Sequence, residues 1–185
     1  MAEKILVHCC CGPCSTSSVK RLLEDGWDVV LHYENSNIYP EEENTKRYEE
    51  LEKVAEHYGV PVIKTEYDHD AWLEHIKGFE AEPELGKRCQ LCYEYNLRQA
   101  KKMADKLGIK KFTTTLTVSR FKKSSLIFEQ GGKFEGYVPY DFKKKAGFEE
   151  SIKISKEMGL YRQGYCGCEF SILTAVNEDE VIGDI

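Results

Sequence analysis

The chain has 185 residues, 41% hydrophobic and 11% aromatic, with 26 basic against 32 acidic side chains and a net charge of −6. That length suits one domain, and that apolar content excludes a disordered or collagen-like chain. No apolar run approaches the ~20 residues that a membrane span requires, and the opening Met-Ala-Glu-Lys-Ile-Leu-Val-His lacks the pattern of an export signal, so the expected location is the reducing cytoplasm, with no membrane partner.

Lys4-Ile5-Leu6-Val7-His8 is a short β-prone run that reads as a buried first strand. It stops at Cys9-Cys10-Cys11-Gly12-Pro13-Cys14, where Gly12 and Pro13 break regular structure and Ser15 or Thr16 is placed to cap the next helix. Val19, Leu22 and Leu23 then have helical spacing, with Gly26 as C-cap. Residues 28–33 form a second strand. Residues 41–58 form an amphipathic helix with Leu51, Val54, Ala55 and Tyr58 on one face, ended by Gly59, and residues 60–63 form a third strand. A short helix around 71–76 and a loop over 78–88 lead to a helix from Cys89 to about Leu107. The β-branched run 111–118 is the fourth strand. Residues 124–130 and 146–158 are helical, 137–140 are a strand or extended link, and 171–176 a last short helix or strand.

Strands alternating with helices imply an α/β fold, a mostly parallel sheet covered on both faces, here as a single domain over residues 1–185. In such folds the ligand site lies beyond the carboxyl ends of the strands. The first cysteine group and the basic Ser119-Arg120-Phe121-Lys122-Lys123 stretch then open onto one rim.

The eight cysteines fall into three groups: Cys9, Cys10, Cys11 and Cys14; Cys89 and Cys92; Cys166 and Cys168. In a reducing compartment such clustering indicates metal or redox chemistry rather than disulfides. Cys89-x-x-Cys92 at a helix start directs two thiols over one turn, where the positive helix end favours thiolates. Two thiols from the first loop would complete a four-thiolate site suited to zinc or an iron–sulfur cluster. Cys166-Gly167-Cys168 resembles neither half of a zinc ribbon, and closely spaced thiols on a glycine turn can cycle between dithiol and disulfide. The set favours reductive chemistry over hydrolysis. Neither a P-loop, nor a dinucleotide fingerprint, nor His-Glu-x-x-His occurs. His8 either tunes the cysteine site or ends the strand.

Charge is segregated. Residues 34–84 carry 15 acids against 5 bases, and residues 98–163 carry 16 bases against 7 acids, which predicts a local polyanion-binding face. The acidic segment 169–185 should avoid that polyanion.

The chain resembles the cobalamin-independent epoxyqueuosine reductases of the tRNA queuosine pathway. The resemblance rests on His8-Cys9-Cys10-Cys11-Gly12-Pro13-Cys14, Asn35-Ser36-Asn37-Ile38 with Pro40, Arg88-Cys89 with Cys92, Phe112-Thr113-Thr114-Thr115-Leu116, Asp141-Phe142-Lys143-Lys144-Lys145, and Tyr161-Arg162-Gln163-Gly164-Tyr165-Cys166-Gly167-Cys168 with Phe170-Ser171. It implies a Rossmann-like fold related to the ATP-pyrophosphatase (HUP-type) folds, with the cysteine loop standing where those enzymes bind ATP. It also implies removal of the epoxide oxygen from epoxyqueuosine in tRNA, with no cobalamin. A 4Fe-4S cluster is expected on Cys9, Cys10, Cys89 and Cys92. Cys11 and Cys14 are alternates or ligands of a second, mononuclear metal. Cys166 and Cys168 are expected as a redox pair or metal ligands, and Asp141 as a proton donor. Arg120, Lys122, Lys123, Lys143, Lys144 and Lys145 are expected to face tRNA carrying epoxyqueuosine, and the electron donor is unidentified. Two other readings stay open on these residues, a non-catalytic iron–sulfur or zinc module that binds tRNA and a tRNA sulfur-transfer enzyme.

Overall fold

A computed structural model describes residues 2–171. Four parallel strands lie in the order β3-β2-β1-β4: β1 (Lys4–His8), β2 (Asp28–Tyr33), β3 (Val62–Lys64) and β4 (Lys111–Thr114). Ile5 pairs with Val29 on one side and Lys111 on the other, and His8 with His32 and Thr114.

Strand alternation divides the core. Ile5 and Val7 of β1, with Val29 and Leu31 of β2, pack against α1 (Gly12–Glu24) and α2 (Glu41–Tyr58) through Val19, Leu22, Leu51 and Ala55. Leu6, Val30 and Phe112 point to the opposite face. There they meet Tyr93, Leu97, Ala100 and Ala104 of α4 (Lys87–Lys106) and Ile127 of α5 (Ser124–Gly131). The short α3 (His69–Ile76) buries Trp72 and Ile76 against Tyr95 of α4, and α6 (Gly147–Glu157) packs on α1. Helices therefore cover both faces, as the alternation of elements requires. None of these helices is long and apolar enough to cross a membrane.

Four boundaries differ from the sequence expectation. The first helix begins at Gly12: Cys11, not Ser15 or Thr16, is its N-cap, its sulfur accepting the Cys14 amide, and Pro13 sits in the first turn where it has no amide to satisfy. Ser15 and Thr16 lie inside the helix, donating to the Cys11 and Pro13 carbonyls. The third strand runs Val62–Lys64 rather than 60–63. The long helix opens two residues early, at Lys87. The fourth strand ends at Thr114, whose hydroxyl accepts the Leu116 amide and turns Thr115–Val118 into a 3-10 helix. Residues 137–140 are an extended link: Phe112 takes a hydrogen bond from Val138 and gives one to Gly136. The helix or strand expected at 171–176 lies outside the described residues after Ser171.

Gly12 is fixed by packing. A Cβ there would stand 2.5 Å from the Glu50 carbonyl oxygen, so α2 passes too close for any side chain.

Candidate metal centre

The β1 ladder is extended by one bond, Cys9 amide to His32 carbonyl at 2.9 Å, so Cys9 keeps strand parity with Ile5 and Val7. Its side chain is fully buried in the core, and its thiol donates to the Val7 carbonyl at 3.3 Å. Burial pushes that thiol far above the ordinary range. The chain leaves the strand at Cys10, whose amide donates to Thr115 Oγ1, and Cys10, Cys11 and Cys14 bring their sulfurs within 4.8 Å of one another.

The three thiols are shifted in opposite directions. Hydrogen bonds with Cys10 and Cys14 hold Cys11 well below the ordinary thiol range, against its burial and with help from Gln163 and the Arg47 guanidinium. The amino end of α1 favours a thiolate there. Cys10, which donates to Cys11 at 3.9 Å, is pushed up to about 12 chiefly by that bond, and Cys14 is raised by Cys10 and Cys11. A metal ion would displace the thiol protons that remain. Three soft donors on one half-buried rim fit iron or zinc and are compatible with an iron–sulfur site.

The other four thiols form a second neighbourhood. Cys89, in the first turn of α4, accepts the Leu85 amide at 3.3 Å. Burial raises Cys92 well above the ordinary range, and Cys166, Cys168 and Cys89 add to it. Burial likewise raises Cys89 and Cys168, and Cys166 adds to both. Cys10 and Cys89 pack against the same apolar cluster around Leu116 and Tyr93, which links the two neighbourhoods. Lys122 also stands between them, its ammonium donating to Cys166 Sγ at 3.0 Å. Burial opposes its charge, but Cys166, Tyr93 and Cys10 outweigh that and hold it well above the lysine range. Cys166 is exposed and Cys168 buried.

The Cys166–Cys168 loop is clamped by α2. Arg47, 1% exposed, gives Nη1 to the Cys166 carbonyl (3.0 Å), Nη2 to the Tyr165 carbonyl (3.4 Å) and Nε to Glu43 (2.7 Å). Tyr39 donates its amide to the Gly167 carbonyl at 2.9 Å. Gly167 adopts φ 139°, and a Cβ there would stand 3.1 Å from both Arg47 and Ile38. Sequence reading passed over Arg47, because an arginine beside a lysine in a charged helix looks like a solvated face. Glu43 four residues earlier was the available sign of a pair.

Two buried histidines lie beneath the rim. His8 is lowered to about 4 by burial. Its Nε2 donates to the Glu34 carbonyl at 3.1 Å, which leaves Nδ1 to accept from the Thr114 hydroxyl at 2.9 Å. His32 is lowered to about 3 by burial, then by His8. Asp141 accepts the Ser124 hydroxyl at 2.9 Å at the start of α5. Of the basic residues, Lys143 donates to the Lys122 carbonyl at 2.5 Å, joining residues 120–123 to 143–145, and Arg120 lies over the Phe121 and Phe148 rings.

A parallel α/β sheet with three thiols converging at its carboxyl rim defines an α/β protein with a candidate soft-metal site. Two solved structures share the architecture. The U34-tRNA thiolase NcsA from Methanococcus maripaludis with its 4Fe-4S cluster matches at TM-score 0.56 and 14% identity, over 98% of this chain and 65% of that one. A predicted subunit of a tRNA methyltransferase from Methanocaldococcus jannaschii matches at TM-score 0.55 and 14% identity, over 88% and 93%. The chain belongs to the family described as epoxyqueuosine reductase QueH, whose family model matches residues 5–174. Relatives bearing that name include those of Acinetobacter baylyi (37% identical, 92% of this chain and 81% of that one), Haemophilus influenzae (36%, 92% and 72%) and Thermotoga maritima (33%, 91% and 90%).

Proposed function

We propose that this protein reduces epoxyqueuosine in tRNA to queuosine with an iron–sulfur cluster held at the rim. The observation that carries the reading is the convergence of Cys10, Cys11 and Cys14 in a chain of the epoxyqueuosine reductase family. Cys10 and Cys11 from the β1 loop and Cys89 and Cys92 from α4 are the proposed cluster ligands. Cys9, turned into the core, gives way to Cys11. Cys14, Cys166 and Cys168 are left for a second metal ion or a redox pair.

The reaction consumes two electrons and two protons: the two C–O bonds of the oxirane break, an alkene forms and the oxygen leaves as water. A bound cluster would supply electrons singly, and a second metal ion with an open position on the remaining thiols would supply a Lewis acid for the oxirane oxygen. Oxidation of Cys166 and Cys168 to a disulfide releases two electrons and two protons, which balances the reaction, and an external reductant of the dithionite type then restores the dithiol. Lys122 Nζ, already donating to Cys166 Sγ, is placed to give a proton to the departing oxygen. Arg120, Lys123, Lys143, Lys144 and Lys145 hold the tRNA backbone.

The test is anaerobic reconstitution with iron and sulfide, then dithionite and epoxyqueuosine-containing tRNA, with nucleosides read by mass spectrometry. Conversion to queuosine without ATP is the expected result. Intact epoxide at full cluster loading would leave a tRNA-binding module, and ATP-dependent sulfur incorporation would make the protein a thiolase.

A further inference from the structure

On the β3 side of the thiols the rim holds a half-open cavity of about 350 Å³. Glu34, just after β2, and residues 65–68, just after β3, form one wall, and Tyr95 and Gln99 of α4 form the other. Glu34 is 3% exposed. Its Oε1 accepts the Ser36 hydroxyl at 2.5 Å and the Ser36 amide at 3.3 Å, while its Oε2 is buried without a hydrogen-bond partner. An acceptor buried in that state carries an uncompensated desolvation penalty, which a ligand donor would relieve. Glu66 and Asp68 add two more carboxylates and the lining contains no base, so a phosphate is disfavoured and a ligand rich in N–H groups is favoured. Tyr95, 6% exposed, and Tyr67 supply aromatic surface.

We infer that this cavity reads the base of the modified nucleoside: a guanine-type ring drawn out of the anticodon loop, its Watson–Crick N–H donors on Glu34 and its face against the tyrosines. The inference rests on the reductase reading and names the subsite beside its reaction centre. Enzymes that do chemistry on a base take it out of the stack and hold it by its Watson–Crick edge and by aromatic packing. Epoxyqueuosine is a 7-deazaguanosine. One edge therefore offers the donors of guanine, and the epoxide ring hangs from the opposite side through an aminomethyl link. Such a ligand needs two adjoining subsites, an acceptor pocket for the base and a reactive site one short linker away. The sheet order supplies them. The ends of β2 and β3 are next to that of β1, with strands roughly 4.8 Å apart, and Tyr95 lies about one helical turn beyond Cys92. Asn35 ties the two together by donating to the Cys9 carbonyl at 2.8 Å. The basic stretch after β4 falls on the far side of the thiols, where phosphates belong.

The experiment uses reconstituted, metal-loaded protein in two arms. In the first, Glu34→Gln and Gln99→Ala are assayed on an epoxyqueuosine-bearing anticodon stem-loop under dithionite. Glu34→Gln should raise KM about 10- to 100-fold with iron content and cluster absorbance unchanged. Gln99→Ala should raise it less. In the second arm, binding of free 7-deazaguanosine is compared with that of 7-deazaadenosine, which reverses the donor pattern. The wild type should prefer 7-deazaguanosine, and Glu34→Gln should lose that preference. Unchanged KM in both variants, or equal binding of the two nucleosides, overturns the base pocket while leaving the reductase reading intact. If the wild type fails to turn over, the reductase reading falls, and the nucleoside arm still decides what the cavity binds. Should Glu34→Gln not fold, the wild-type nucleoside preference and Gln99→Ala carry the decision.

Discussion

At the scale of single residues, the cysteines separate by where each sulfur points. Cys9 shares a face with Ile5 and Val7, and its thiol is spent on the Val7 carbonyl inside the core. Cys9→Ala should therefore keep the cluster chromophore and lose stability, by about 1 kcal/mol for a small core truncation. Cys10→Ala, Cys89→Ala and Cys92→Ala should each abolish the chromophore; iron analysis and urea melts separate the two behaviours. Full iron in the Cys89 and Cys92 variants would defeat the ligand assignment. The strand parity that turns Cys9 toward the core was open to reading in the sequence, since residues 5, 7 and 9 alternate. The triple cysteine drew attention to spacing instead. The buried histidines give a pH signature. His32 titrates near 6.5 unfolded and about 3 folded, so the unfolded chain binds the extra proton over that window. Stability contributed by the neutral ring is complete above 6.5 and is lost as pH falls toward 3, by about 1.4 kcal/mol per unit. His32→Phe should flatten the fall in urea midpoint between pH 7 and 5.

At the scale of elements, two contacts set the thiol loops. Gly12 lets α1 start against α2, and Gly12→Ala would drive its Cβ into the Glu50 carbonyl. We expect a loss of about 1–3 kcal/mol from such overpacking, together with weaker iron retention, because Cys11 and Cys14 ride on the displaced turn. Arg47 fixes the other loop through the Tyr165 and Cys166 carbonyls. Losing charge-assisted hydrogen bonds of about 1.5–3 kcal/mol each, Arg47→Ala should expose Cys168 to a thiol reagent at least about tenfold faster in the metal-free, reduced protein. An unchanged labelling rate would show that Tyr39 and the glycine turn suffice. Neither contact was visible in sequence, because each joins residues far apart in the chain: 12 to 50 and 47 to 166. The element pattern itself was readable wherever apolar periodicity was strong. It failed where a side chain decided a boundary, as with the Cys11 sulfur starting α1 and the Thr114 hydroxyl ending β4.

For the whole molecule, the strand order arranges chemistry along one rim. From the β3 edge to the β4 edge come the acidic cavity, the thiols, and the basic stretch with Lys122 at the boundary. The charge segregation along the sequence thus becomes a gradient in space, brought together because β4 pairs beside β1 and Lys143 docks on Lys122. On the proposed reading, a substrate with a polyanionic backbone and one donor-rich base should lie across it with its phosphates toward β4 and its base toward β3. Its binding should weaken steeply with salt, each neutralised phosphate contributing roughly 0.7–0.9 to the slope of log K against log salt. Lys144→Glu with Lys145→Glu, both exposed, should weaken tRNA binding and lower that slope by about two contacts while leaving iron content unchanged. Reversing acids in 149–157 on the neighbouring helix should do neither. A slope untouched by the Lys144 and Lys145 reversals would place the tRNA elsewhere, and the gradient would then be a property of the folded chain alone.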